Sequence, residues 1–163
     1  MKKINKLDLS VALLAGVSCL GSLIGLPIWA LFIGWAWYFA LLKSKTIFKT
    51  AVPPMICGSM LAVIAILSID ALSLIMPGLL AMIIGVTVTV FLLMLSTKIE
   101  ALSFSLVSFN AYSCMFAGYY ASTFPVQDSY FANFGLAIAW ITGANFLGLI
   151  FGYLSIKLSG SDS

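Results

Sequence analysis

The residues of this chain that could do chemistry are two amides, a run of hydroxyls and a few large aromatic rings, all set in apolar surroundings. Asn110 and Asn145 each lie near the middle of a long apolar stretch. A side-chain amide has two donors and an acceptor oxygen, so it can replace part of the hydration shell of a small polar solute. Ser103, Ser105, Ser108 and Ser113 surround Asn110 and make that stretch the most polar of its kind. At helical spacing Ser103, Asn110 and Ser113 share one face, with Ser105, Ser108 and Tyr112 on the neighbouring one. In lipid such a stripe must turn toward protein or water. A pore lining meets that requirement, and so does an interhelical hydrogen-bond seam. Trp35 lies deeper than an interfacial aromatic belt requires. Opposite Tyr112 it suits a narrow constriction, with Phe32 and Phe109 beside them.

Catalytic machinery does not accompany these residues. The chain has no His, which excludes imidazole acid–base work and haem ligation through His. Cys19, Cys57 and Cys114 lie far apart without a CxxC partner, so neither a zinc site nor a disulfide framework is indicated. No carboxylates pair at depth, and no Ser has an evident base. The expectation is a protein that is not an enzyme and needs neither metal nor cofactor.

The elements that must position these residues are membrane spans. Of 163 residues 63% are hydrophobic and only 8% charged, too few charges to cover a water-soluble core of this length. Mean hydropathy is +1.16. Six apolar stretches follow one another, at roughly 7–25, 27–42, 52–70, 77–96, 101–121 and 131–158. Unbroken apolar runs, rather than alternating ones, indicate helices rather than a barrel. The fold class is therefore an all-α integral membrane protein, with residues 1–158 a single six-helix transmembrane domain and 159–163 a flexible tail. Asp8 or Ser10 is expected to cap the first helix. Pro27, Pro53, Pro54 and Pro77 are read as first-turn residues, where a missing N–H costs little. The second span is short, and short spans often line cavities. Gly16-Val17-Ser18-Cys19 is a poor lipoprotein signal, so the first stretch is read as an uncleaved helix.

Orientation follows from charge. Lys2, Lys3, Lys6, Lys43, Lys45, Lys49, Lys98 and Lys157 are the only cations, and on a six-span plot all fall on one side. The positive-inside rule makes that side cytoplasmic, with both termini there. Asp70 and Asp128 then face outward, while Asp8, Glu100 and Asp162 face inward. The net charge of +3 reflects lysines anchored at a lipid surface and carries no implication of nucleic-acid binding. No ionisable side chain sits in mid-span, which disfavours proton relays and ion-coupled pumps and favours a neutral cargo.

Residues 32–40 (FIGWAWYFA) align without gaps on 109–117 (FNAYSCMFA). Phe32 matches Phe109, Gly34 Ala111, Trp35 Tyr112, Phe39 Phe116 and Ala40 Ala117. Three spans per half would invert one half relative to the other, as in transporters whose solute site lies at the repeat interface. Ala144, Gly148 and Gly152 form a small-residue stripe suited to close helix packing or to self-association.

The stretches PIWALFIGWAWYFA (27–40), MFAG (115–118) and GLIFGY (148–153), with the length and six-span layout, resemble the YcdZ-type family of small bacterial inner-membrane proteins of unknown function. The resemblance implies topology and a multi-pass place in the bacterial cytoplasmic membrane, without an activity. In size and span count the chain is also similar to small six-helix urea and amide channels, with no shared motif. The leading expectation is a passive channel or facilitator for a small neutral or weakly ionised polar solute. Asn110, Asn145, Trp35, Tyr112, Ser113, Ser108, Phe32 and Phe109 would line its path. The bilayer, the solute and a second copy of the chain are its expected partners. A membrane subunit that stabilises a partner protein, and a small uniporter, are the alternative expectations.

Overall fold

A computed structural model describes residues 4–42, 44 and 46–160. Lys2, Lys3, Lys43, Lys45 and Asp162 lie outside them, as does most of the expected tail. The regular structure among the described residues is all helical, with no strand. The helices are α1 (Lys6–Ser18), continued by a tighter 3₁₀ segment over Cys19–Ile24, then α2 (Ile28–Ala40), α3 (Ile47–Leu72), α4 (Gly78–Ser96) and α5 (Ser105–Tyr120). A last rod follows, in which α6 (Tyr130–Ala137) and α7 (Gly143–Ser159) are joined by a π-helical turn at Ile138–Thr142.

Four of these rods are long and apolar enough to cross a membrane: Lys6–Ile24, Ile47–Leu72, Gly78–Ser96 and Tyr130–Ser159. The other two are short. At about 1.5 Å per residue, the 13 residues of α2 and the 16 of α5 fall well below a hydrocarbon thickness of about 30 Å. The surface is apolar, with Leu20, Phe91 and Leu79 each more than half exposed. A face of that kind suits lipid tails.

Local chemistry differs from expectation at several helix ends. Asn5 caps α1, its Oδ1 accepting from the Asp8 N–H at 2.8 Å while the Asp8 carboxylate accepts from the Asn5 N–H at 2.8 Å. That capping box takes the place of a cap at Asp8 or Ser10. The third helix starts at Ile47 rather than 52, so Pro53 and Pro54 lie inside it. The fifth starts at Ser105 rather than 101, because Glu100–Leu102 closes a separate 3₁₀ turn. The last rod is interrupted by its π turn.

The contacts order the helices. Ser10 meets Ser155 and Gly25 approaches Trp140, so α1 runs antiparallel to the last rod. Cys57 meets Ser96 while Gly85 meets Ile69, so α3 and α4 are antiparallel. Thr142 meets Ser59 and Tyr130 meets Asp70, so α3 and the last rod are antiparallel too. α2 packs mainly on α7, and α5 mainly on α3. This up-and-down order brings the described lysines, Lys6, Lys49, Lys98 and Lys157, to one end of the bundle, with Asp70 and Tyr130 at the other.

The two halves pack alike. Residues 30–41 and 107–118 have the same pattern of buried, half-buried and exposed positions, residue for residue, and so do 48–56 and 138–146. The closest approaches agree as well. A Cβ added at Gly148 would collide with the Leu31 carbonyl, and one added at Gly58 with the Ser108 carbonyl. Leu31 and Ser108 are matched positions in the alignment of the second and fifth helices. The register read from residue types is thus repeated in backbone contacts that involve other residues.

Candidate functional site

The seam between α2 and α7 holds a buried amide, Asn145, and a buried indole–hydroxyl pair, Trp35 and Ser155. Glycines bring the two backbones into contact. A Cβ at Gly34 would lie 2.7 Å from the Asn145 carbonyl carbon, and one at Gly148 would lie 2.9 Å from the Gly34 carbonyl carbon. No solute passes between helices this close. What the seam does is fix the side chains beside it.

Asn145 is wholly buried where α2, α5 and α7 meet. Its Nδ2 donates to the Ala30 carbonyl at 2.7 Å and lies 3.7 Å from the Cys114 Sγ. Its Oδ1 is buried and accepts no hydrogen bond among the described residues. Leaving an amide oxygen unpaired in apolar surroundings costs about 1–3 kcal/mol. The atom is therefore poised to accept from a donor brought to it.

One helical turn on, Trp35 is buried and its Nε1 donates to the Ser155 Oγ at 3.0 Å. Its ring stands edge-on to Phe151, with centroids 5.5 Å apart. Ser155 donates in turn to the Phe151 carbonyl at 2.7 Å, while its own carbonyl accepts from Ser10 at 2.8 Å. Three rods thus lock the Trp35 ring. Tyr112, the match of Trp35, is also buried, and its hydroxyl lies 2.9 Å from the Thr89 Oγ1 of α4. Both rings belong to one apolar core.

Other expected residues lie elsewhere. Ser108 is buried and bonded to its own helix at the Ser105 carbonyl, 3.1 Å away. Phe32 and Phe109 are exposed on outward faces, at 42% and 38%. Ser113 is exposed, and half-buried Asn110 donates back to the Leu106 carbonyl at 2.8 Å. The two amides therefore do not converge. Asn145 points inward, and Asn110 sits on the outward side of α5. The bonds of Ser155, Thr89 and Cys114 escape residue-type reasoning, because a lone Ser or Cys in an apolar run has no distinguishing signal. Ser155 lies one turn from Gly152 on the small-residue stripe, and that spacing was the available clue.

Two polar regions occupy the ends of the bundle. At the lysine end a groove of about 660 Å³ is lined by Thr46, Lys49, Thr50, Ile99, Glu100, Ala101 and Ser103. At the opposite end the Tyr130 hydroxyl donates to Asp70 at 2.7 Å, clasping the start of α6 to the end of α3. There the loop before α6 is pinned by Asn133, which accepts from the Gln127 N–H at 2.8 Å and donates to the Gln127 carbonyl at 3.0 Å. No group of three or more His, Cys, Asp or Glu able to hold a metal occurs among the described residues.

Neither the curated proteins nor the solved structures contain a match to this chain. One protein-family model, described as "Protein of unknown function (DUF1097)", matches residues 8–160, nearly the whole chain, and the chain belongs to that family.

Proposed function

We propose that this protein crosses the bacterial cytoplasmic membrane six times, lysine end inward, and passively carries a small neutral or weakly ionised polar solute. The observation that carries this reading is the matched packing of two short helices, α2 and α5, each on a long rod with an irregular first third. Short or interrupted segments at corresponding places in two halves are the mark of a transport site at a repeat interface. Pro53-Pro54 removes two N–H donors inside the continuous α3, and the π turn widens the last rod at the matching level. With three spans per half, the halves are inverted relative to each other. The protein fits the YcdZ-type group by size and layout, and it is not an enzyme.

In this mechanism Asn145 is the solute ligand at mid-depth. Its free Oδ1 accepts from an N–H or O–H donor of the solute and replaces a water. Trp35 and Tyr112 form rigid walls held by Ser155 and Thr89. Solute identity follows from donor placement and width, since no buried charge selects it.

The test is stopped-flow light scattering on proteoliposomes of purified protein against empty vesicles. The panel is urea, formamide, acetamide, glycerol and short-chain acids. Accelerated entry of one of these solutes, lost in Asn145→Leu, is the expected result. No acceleration for any solute would remove the transport reading in favour of a subunit that stabilises a partner. The outward polar face of α5, with Asn110 and Ser113, supports a homo-oligomer, because lipid tails offer no partner to the rest of an amide that bonds only to its own helix.

A further inference from the structure

The lysine-end groove lies at positions that the repeat register also marks in the other half, and the residues at the two places are not alike. Its wall is built at Thr50, just before Pro53 and Pro54. The Thr50 carbonyl has proline at both the third and the fourth residue ahead, so neither can donate an N–H to it. With the Lys49 ammonium, the Glu100 carboxylate and the hydroxyls of Thr46 and Ser103, the groove presents donors and acceptors together. In the repeat register 48–56 on 138–146, Thr50 matches Trp140. The turn between α4 and α5, which holds Glu100, matches the turn between α1 and α2, which holds Gly25. At that matched place the Trp140 indole lies beside Gly25. Its Nε1 stands 4.0 Å from the position of a Cβ on Gly25, is buried, and has no hydrogen-bond partner among the described residues.

We infer that the protein has two equivalent mouths related by its internal repeat, of which the Thr46–Lys49–Thr50–Glu100 mouth is open and the other is shut by Trp140. The open mouth takes a small uncharged solute with both donor and acceptor groups, of the amide class. Trp140 closes the far side, five residues before Asn145 on the same rod. Its unpaired indole N–H marks a side chain that fills space without being anchored by a hydrogen bond. Swinging it aside opens the second mouth without breaking a bond. This rests on the transport reading for its purpose but on the repeat for its geometry.

Native Cys114, beside Asn145, reports access to the centre. The experiment uses full-length protein in lipid nanodiscs, with Cys19→Ser and Cys57→Ser, and follows modification of Cys114 by a quaternary-ammonium methanethiosulfonate. Trp140→Thr, which copies the open mouth, is expected to speed modification several-fold. Thr50→Trp, which copies the shut one, should slow it several-fold. Trp140→Phe, which keeps the plug, should leave it unchanged. Each variant is compared only where gel filtration and thermal melting match the parent. Equal Cys114 rates in the parent and in folded Trp140→Thr and Thr50→Trp would overturn the paired mouths, even if solute flux is found. Altered rates without flux for any solute would leave the mouths standing and remove the transport reading alone.

Discussion

The α2–α7 seam and the α5–α3 seam share a register and differ in chemistry. The first joins its helices through Gly34, Gly148 and Gly152 and carries Asn145, Trp35 and Ser155. The second has one glycine at its closest approach, Gly58, and Met55 stands where the first has Asn145. Cys114, which meets Asn145, is matched by Trp37, which packs in a core with Met55. Packing is shared by both halves, each of which buries serines, while the buried amide lies in one alone. Backbone-to-backbone contact is therefore the property the architecture requires, and the buried amide is an addition to it. In the proposed mechanism the solute is therefore held on the α2–α7 side.

The largest expected effect tests the shared part. Gly148→Leu and Gly58→Leu both force a side chain into a carbonyl that cannot retreat without moving a helix. Each should destabilise by about 3 kcal/mol or more, at or beyond the usual cost of overpacking. The measure is thermal melting in detergent. Gly143→Ala is the counter-case five residues away, since nothing lies within 4 Å of its Cβ. It should be neutral or stabilise by up to about 1 kcal/mol. Equal losses at Gly148 and Gly58 would support the duplication. A large loss at one alone would break the comparison.

The next effect tests what differs. Asn145→Met gives the first seam the residue of the second. The Ala30 carbonyl keeps a helical acceptor role, and the orphaned Oδ1 disappears, so stability should change by less than about 1 kcal/mol. Flux, where found, should be lost. A folded Asn145→Met protein with unchanged flux would take the solute off this seam.

Much of this comparison was legible in residue types. Prolines and lysines mark the helix ends, and Phe32/Phe109 and Trp35/Tyr112 give the register of α2 on α5. The match of α3 with the last rod was not legible, because only Gly58 and Gly148 share an identity at the contact. Close approach needs a small residue and leaves its neighbours free. The early start of α3 was hidden because prolines in a second turn look like prolines in a first. The π turn leaves no composition signal, and Trp140 reads as one more apolar aromatic. Asn110 and Asn145 looked equivalent because depth along a helix is visible in a sequence, whereas the side it faces depends on neighbours that are not.

Smaller effects weigh the two ring anchors. Trp35→Phe removes the bond to Ser155, which still donates to backbone carbonyls of its own helix. Tyr112→Phe removes the bond to Thr89, which still donates to the Gly85 carbonyl at 2.7 Å. With partners otherwise satisfied, each should cost only about 0.5–1.5 kcal/mol by denaturant or thermal titration. A much larger loss at Trp35 would mean that the Ser10–Ser155–Trp35 chain couples three helices cooperatively, a feature the Tyr112 side lacks.

The smallest expected effect on stability is at Asn110. Its side chain bonds only to a carbonyl of its own helix, and that carbonyl keeps the backbone N–H of residue 110. Asn110→Leu should therefore shift stability by no more than about 0.5 kcal/mol, as at other surface positions. Flux should be unchanged, in contrast to Asn145→Met. If a second copy covers this face of α5, the same change should reduce the oligomer, seen as a smaller species by native mass spectrometry. Loss of flux with the oligomer intact would place the solute path along the outward side of α5, and the polarity of the α2–α7 seam would then be structural.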